Sequence, residues 1–158
     1  MALWKRVLDA VPASVLRLQN GRFEEEQQVL RMRERLLAAG IDLRRVFIST
    51  NLPREHYLGQ YAEVDVLLDT FPYPGGTTTA EAIWMGVPTL ALATPGMLGR
   101  QGQAMLENVG LADWVAHSED GYVSKAVALA ADRPAAVARL RALRRSLRET
   151  ARQSPLFD

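Results

Sequence analysis

The sequence predicts an α/β fold in which a parallel sheet is covered by helices on both faces. Segments with helical spacing alternate along the chain with short apolar runs of strand length. One such run leads directly into a paired-glycine turn and then a helix start, the order of a β-α unit. The helical segments stop where Gly40 and the Gly86-Val87-Pro88 run stand, as helices in such units do.

The elements follow in order. Leu3 to Val11 has helical spacing in Leu3, Val7, Leu8 and Val11 and stops at Pro12. Ser14 to Leu18 reads as a strand. Phe23 to Ala39 reads as an amphipathic helix burying Val29, Leu30, Met32, Leu36 and Leu37, with Gly40 at its end. Arg45 to Ile48 is a second strand, Pro53 to Ala62 a short helix, and Val64 to Leu68 a third strand. Thr77 to Met85 is a helix, Thr89 to Leu92 a fourth strand, Gln101 to Val109 a helix and Asp113 to Ala116 a short fifth strand. Ser118 caps a helix to Ala131, and Asp132 with Pro134 opens a last helix to about Gln153. No repeat or linker interrupts this pattern, so 1–158 reads as a single domain.

The stretch from Asp69 to Pro88 carries the chemistry. Gly75 and Gly76 permit a tight turn and close backbone approach to a ligand. The helix start that follows has unpaired N–H groups and a partial positive charge, which suit a phosphate. The hydroxyls of Thr77 and Thr78 serve either as helix caps or as donors to phosphate oxygens, and Glu81 stands where it can accept from ribose hydroxyls. The turn follows the end of a strand, and open parallel sheets bind ligands at their carboxyl ends. A plain threonine-capped turn with a solvated Glu81 is the competing reading of the same residues.

Composition narrows the alternatives. Of 158 residues, 48% are hydrophobic and the net charge is +1, which is globular and gives no general case for nucleic acid or an anionic membrane as partner. There is no cysteine, and His56 and His117 lie far apart, so no metal site is expected. No apolar run is long enough to span a bilayer and the first residues do not form a signal peptide, so the default compartment is cytoplasmic. Arg139, Arg141, Arg144, Arg145, Arg148 and Arg152 crowd the last helix. Without interleaved aromatic residues they read as a solvated face around Val137, Leu140, Leu143 and Leu147.

The text from Val64 to Tyr73, then Gly75-Gly76-Thr77-Thr78-Thr79, then Glu81 to Pro88, resembles the sugar-nucleotide half of the protein O-GlcNAc transferase family, including its SPINDLY-like and bacterial members. Arg100 to Leu106, Asn108 to Leu111 and Ser154-Pro155-Leu156-Phe157 follow in the family's order. The resemblance implies the second, Rossmann-like half of a GT-B arrangement, with a UDP-sugar as donor substrate and no metal or other cofactor. Carried over by position, Thr77 and Thr78 hold the diphosphate, Glu81 holds the ribose, Arg54 lies near the uracil, and Leu52 offers a backbone contact to the base. Gly76 stands where several relatives have a histidine, and His56 is out of register with a histidine of animal members.

The resemblance further implies partners outside this chain: an acceptor-side domain with the acid/base histidine, and a strand and loop, before Met1, with a phosphate-contacting lysine. No catalytic residue is therefore expected here, and the isolated chain is expected to be nearly inactive. If the preceding strand is central to the sheet, either Ser14–Leu18 pairs directly with Val64–Leu68 or two strand edges stay open. Another GT-B enzyme, such as a sugar-nucleotide epimerase, and a non-catalytic nucleotide-binding module are the other readings.

Overall fold

The computed structural model describes residues 1–131 and 133–158; Asp132, expected to open the last helix, lies outside them. The chain forms two compact units, Met1–Tyr57 and Leu58–Asp158.

In the first unit α1 (Ala2–Ala10) buries Leu3, Val7 and Leu8. β1 (Leu16–Gln19) and β2 (Val46–Ser49) pair in parallel, with Leu16 opposite Val46 and Gln19 opposite Ser49. Between them α2 (Glu26–Ala38) places Leu36 against Leu8, Leu16 and Ile41, with Met32, Val46 and Ile48 around that core. The expected start at Phe23 is instead a short 3-10 turn, Gly21–Glu24, because Asn20 Oδ1 accepts from the Arg22 N–H and Glu25 is extended. Leu30 and Leu37 are 52% and 58% exposed rather than buried. At about 100° per residue they sit well off the face that carries Met32 and Leu36. Gly40 ends the helix with φ +74, its N–H donating to Leu37 O and that of Ile41 to Leu36 O.

Arg45 binds this unit together. Its guanidinium donates to the carbonyl oxygens of Leu8 at 2.9 Å, Val11 at 2.8 Å and Ser14 at 2.7 Å. Those carbonyls lie at the end of α1 and in the bend before β1, where a cation is favoured. α3 (Arg54–Gly59) runs across the boundary between the units.

The second unit is a parallel ladder, β3 (Leu67–Leu68), β4 (Thr89–Leu92) and β5 (Val115–Ala116), in that spatial order. Among the described residues the strands form two separate ladders, one in each unit. β3 is shorter than the expected Val64–Leu68. The carbonyls of Tyr61 and Val64 accept from the guanidinium of Arg144 instead of joining the sheet. β5 is shortened likewise by the 3-10 turn Ala112–Trp114.

Helices α4 (Thr77–Trp84), α5 (Gln101–Asn108), α6 (Glu119–Ala128) and α7 (Arg133–Arg152) complete the unit. Ile83, Val87, Leu90, Leu106, Tyr122 and Leu147 are fully buried among them. Ser118 caps α6, its Oγ accepting from the Gly121 N–H at 3.0 Å. Gly86 ends α4 with φ +77, and a Cβ there would stand 2.6 Å from the backbone oxygen of Arg144, so both conformation and the close passage of α7 require glycine.

Three arginines of α7 take part in this packing. Arg144 joins Tyr61 and Val64, Arg148 lies over the Trp84 ring at 4.6 Å, and Arg139 lies over Trp114 at 5.6 Å while pairing with Asp113 at 2.8 Å.

Candidate functional site

β3 ends in Asp69, which is only 4% exposed. Its Oδ1 accepts the Gly75 N–H at 2.7 Å, so the carboxyl group folds the intervening residues back and fixes where the glycine turn begins. Within that loop the Thr70 hydroxyl donates to Tyr73 O at 2.6 Å, and the Phe71–Pro72 bond is cis. Burial pushes the Asp69 carboxyl above its ordinary range, while the N–H groups of Gly75 and Thr70 pull the other way. The phenol of the buried Tyr122 is raised by its own burial and then by the charge of Asp69.

From Gly75 the chain turns at Gly76 into α4, with the Ala80 N–H donating to Gly76 O at 3.1 Å. No side chain caps this start. Capping, one of the two readings of the threonine hydroxyls, is absent because the N-cap position is Gly76, which has no side chain; Thr77 and Thr78 are exposed, while Thr79 is buried with its hydroxyl unpartnered. The first-turn N–H groups of α4 are thus left to whatever occupies the turn. Glu81 follows, half-buried.

Gly75, Gly76, Thr77, Thr78 and Glu81 are therefore gathered at the carboxyl edge of the β3–β4–β5 ladder. Leu52 and Arg54 belong to the first unit. Leu52 lies just before α3, and Arg54 is the first residue of that helix, with the guanidinium 5.7 Å from the centre of the Tyr57 ring. His56 is exposed on the same helix.

Two residues that sequence reasoning did not single out complete the turn. One is Asp69, whose only local signal is an acid closing an apolar strand before a Pro/Gly loop. The other is Gln101, the first residue of α5, whose amide nitrogen would lie 2.9 Å from a Cβ placed on Gly76. One strand further along, beyond β4 and β5, Thr94, Arg100, Gln103 and His117 line an open cleft of about 400 Å³.

Parallel ladders joined through helices, with a glycine turn at their carboxyl edge, define a Rossmann-like α/β protein. The chain belongs to glycosyl transferase family 41, which it matches over residues 1–158. It is 38% identical over 162 residues to a protein of Solanum lycopersicum named probable UDP-N-acetylglucosamine–peptide N-acetylglucosaminyltransferase SPINDLY, a match covering 100% of this chain and 17% of that protein. It is 28% identical to the UDP-N-acetylglucosamine–peptide N-acetylglucosaminyltransferase of Caenorhabditis elegans, over 82% of this chain and 11% of that protein. Among solved structures, the K341M mutant of the Thermobaculum terrenum O-GlcNAc transferase superimposes with a TM-score of 0.87 at 32% identity, covering 99% of this chain and 30% of that one. The chain thus spans about one sixth of the length of the curated relatives it matches. Among the described residues no helix is long and apolar enough to cross a membrane.

Proposed function

We propose that this chain is the donor-binding half of a UDP-sugar-dependent protein glycosyltransferase, holding the diphosphate at the start of α4. The observation that carries this reading is the uncapped first turn of α4 with the Thr77 and Thr78 hydroxyls exposed beside it. Family membership supplies the ligand class, because the relatives are named for transfer from UDP-N-acetylglucosamine to peptide.

In the transfer, a serine or threonine hydroxyl of an acceptor protein attacks the anomeric carbon and UDP leaves. Negative charge develops on the diphosphate. The α4 N–H groups and the Thr77 and Thr78 hydroxyls stabilise that charge without a metal, being fixed before the reaction begins. Glu81 accepts from the ribose, and Arg54 and the Leu52 backbone serve the base. The acid/base group and the phosphate-contacting lysine come from segments outside this chain, and the working compartment is the cytoplasm.

Calorimetric titration with UDP tests this. A charge-assisted hydrogen bond contributes about 1.5–3 kcal/mol, so Thr77→Ala or Thr78→Ala should weaken binding roughly tenfold to a hundredfold. Glu81→Ala should weaken UDP as well. Equal UDP affinity of the wild type and the threonine variants would refute the assignment.

A further inference from the structure

We propose that Gln101 is a donor-binding residue whose carboxamide hydrogen-bonds the diphosphate–sugar end of the nucleotide held at the α4 turn. This rests on the donor reading above and adds a residue from a different loop to that site.

The geometry begins at Gly76. A Cβ on that residue would meet Gln101 Nε2 at 2.9 Å, Cδ at 3.7 Å and Oε1 at 3.8 Å. The amide of Gln101 therefore lies against the bare face of Gly76 and occupies the space that any side chain at position 76 would need. At the turn this chain thus has an empty Cα face with a carboxamide laid over it from the start of α5.

The amide is also available. It has two N–H donors and a carbonyl acceptor, and among the described residues it makes no hydrogen bond. Half-buried and unpartnered beside an uncapped helix start, it presents donors where the donor's phosphate oxygens are placed. Those oxygens would gain a bond from a second helix as well as from α4.

Its position is fixed rather than incidental. Gly102, next along α5, is packed so closely that a Cβ there would lie 2.6 Å from Asp69 Oδ2 and 3.1 Å from the Ala91 methyl group. One oxygen of Asp69 ties the Gly75 N–H, and the other sets the approach of α5. The same buried carboxyl thus registers the glycine turn and the residue that leans over it. Through N–H the amide can serve a phosphate oxygen, and through its carbonyl a sugar hydroxyl.

The test is calorimetric titration of the chain with UDP and with UDP-N-acetylglucosamine, for wild type, Gln101→Ala, Gln101→Glu, Gly76→Ala, the Gly76→Ala/Gln101→Ala pair and Thr78→Ala. Gln101→Ala should weaken binding roughly tenfold. Gln101→Glu, which sets a carboxylate against the diphosphate, should weaken it further. Gly76→Ala should displace the amide and reproduce the Gln101→Ala loss, with little added in the pair. A loss common to both nucleotides assigns the contact to phosphate, and a loss confined to the sugar nucleotide assigns it to a sugar hydroxyl. If both Gln101 variants bind as wild type does while Thr78→Ala is weakened, the donor site stands and the role of Gln101 is overturned. If the folded wild type binds neither nucleotide, both readings fall.

Discussion

The carboxyl of Asp69 accepts the N–H of Gly75 at 2.7 Å, so a residue buried at the end of β3 determines where the exposed glycine turn starts. Because burial raises its pKa from the ordinary 3.8, native Asp69 holds its proton more firmly than the unfolded chain does. The sign follows: this group costs nothing below the ordinary aspartate range, and its stability contribution falls as pH rises through the native pKa. Asp69→Asn keeps an oxygen for Gly75 and removes the charge. In urea unfolding across that pH range, the variant should gain stability relative to wild type as pH rises. A constant difference between the two would contradict the buried charge as its source.

Arg144 donates to Tyr61 O at 3.0 Å and also to Val64 O, tying α7 to the approach to β3. Lysine lacks the planar fork that reaches two carbonyls. Arg144→Lys should cost about 1.5–3 kcal/mol in chemical denaturation, whereas Arg145→Lys, on the exposed face, should leave the midpoint unchanged.

Gly86 and Gly96 both have positive φ, at +77 and +94, but only Gly86 faces backbone, with Arg144 O 2.6 Å from where an added Cβ would stand. Alanine at either site bears a conformational strain of about 1–2 kcal/mol. At Gly86 a steric cost of about 1–3 kcal/mol is added. Thermal unfolding should therefore rank Gly86→Ala clearly below Gly96→Ala; equal midpoints would show that α7 yields freely.

In the first unit, Arg45→Ala would take the guanidinium away from the carbonyls of Leu8, Val11 and Ser14, of which Val11 keeps the Ser14 N–H and hydroxyl. A loss of about 1.5–3 kcal/mol is expected, with faster amide hydrogen exchange in α1 as its local sign. Exchange accelerated uniformly through the chain would instead point to global destabilisation without a specific role at that helix end.

The order of helices and strands was legible because it depends on local periodicity and on punctuation by Gly40, Gly86 and Pro12. The glycine turn was legible for the same reason. What was not legible depends on residues distant in sequence. Nothing near Val64 announces that Arg144 will take its carbonyl and shorten β3. Nothing near Gly76 announces Gln101. Leu30 and Leu37 are exposed although apolar, and apolarity alone does not say which flank of α2 meets the core. The threonine run identified the helix start but not that Gly76, without a side chain, would take the N-cap position and leave it uncapped.

The arginine-rich helix has a further consequence for how the sequence can drift. Its positive residues look interchangeable when read along the chain, yet they answer to different constraints. Arg144 serves two carbonyls and Arg148 covers an indole, while Arg141 and Arg145 face solvent. Exchange of the last two for glutamine or glutamate should pass unnoticed by the fold, and exchange of Arg144 should not. Mutational tolerance along α7 should therefore follow the helical turn rather than charge, so that a total of basic residues would be a poor measure of how closely two such chains share a structure.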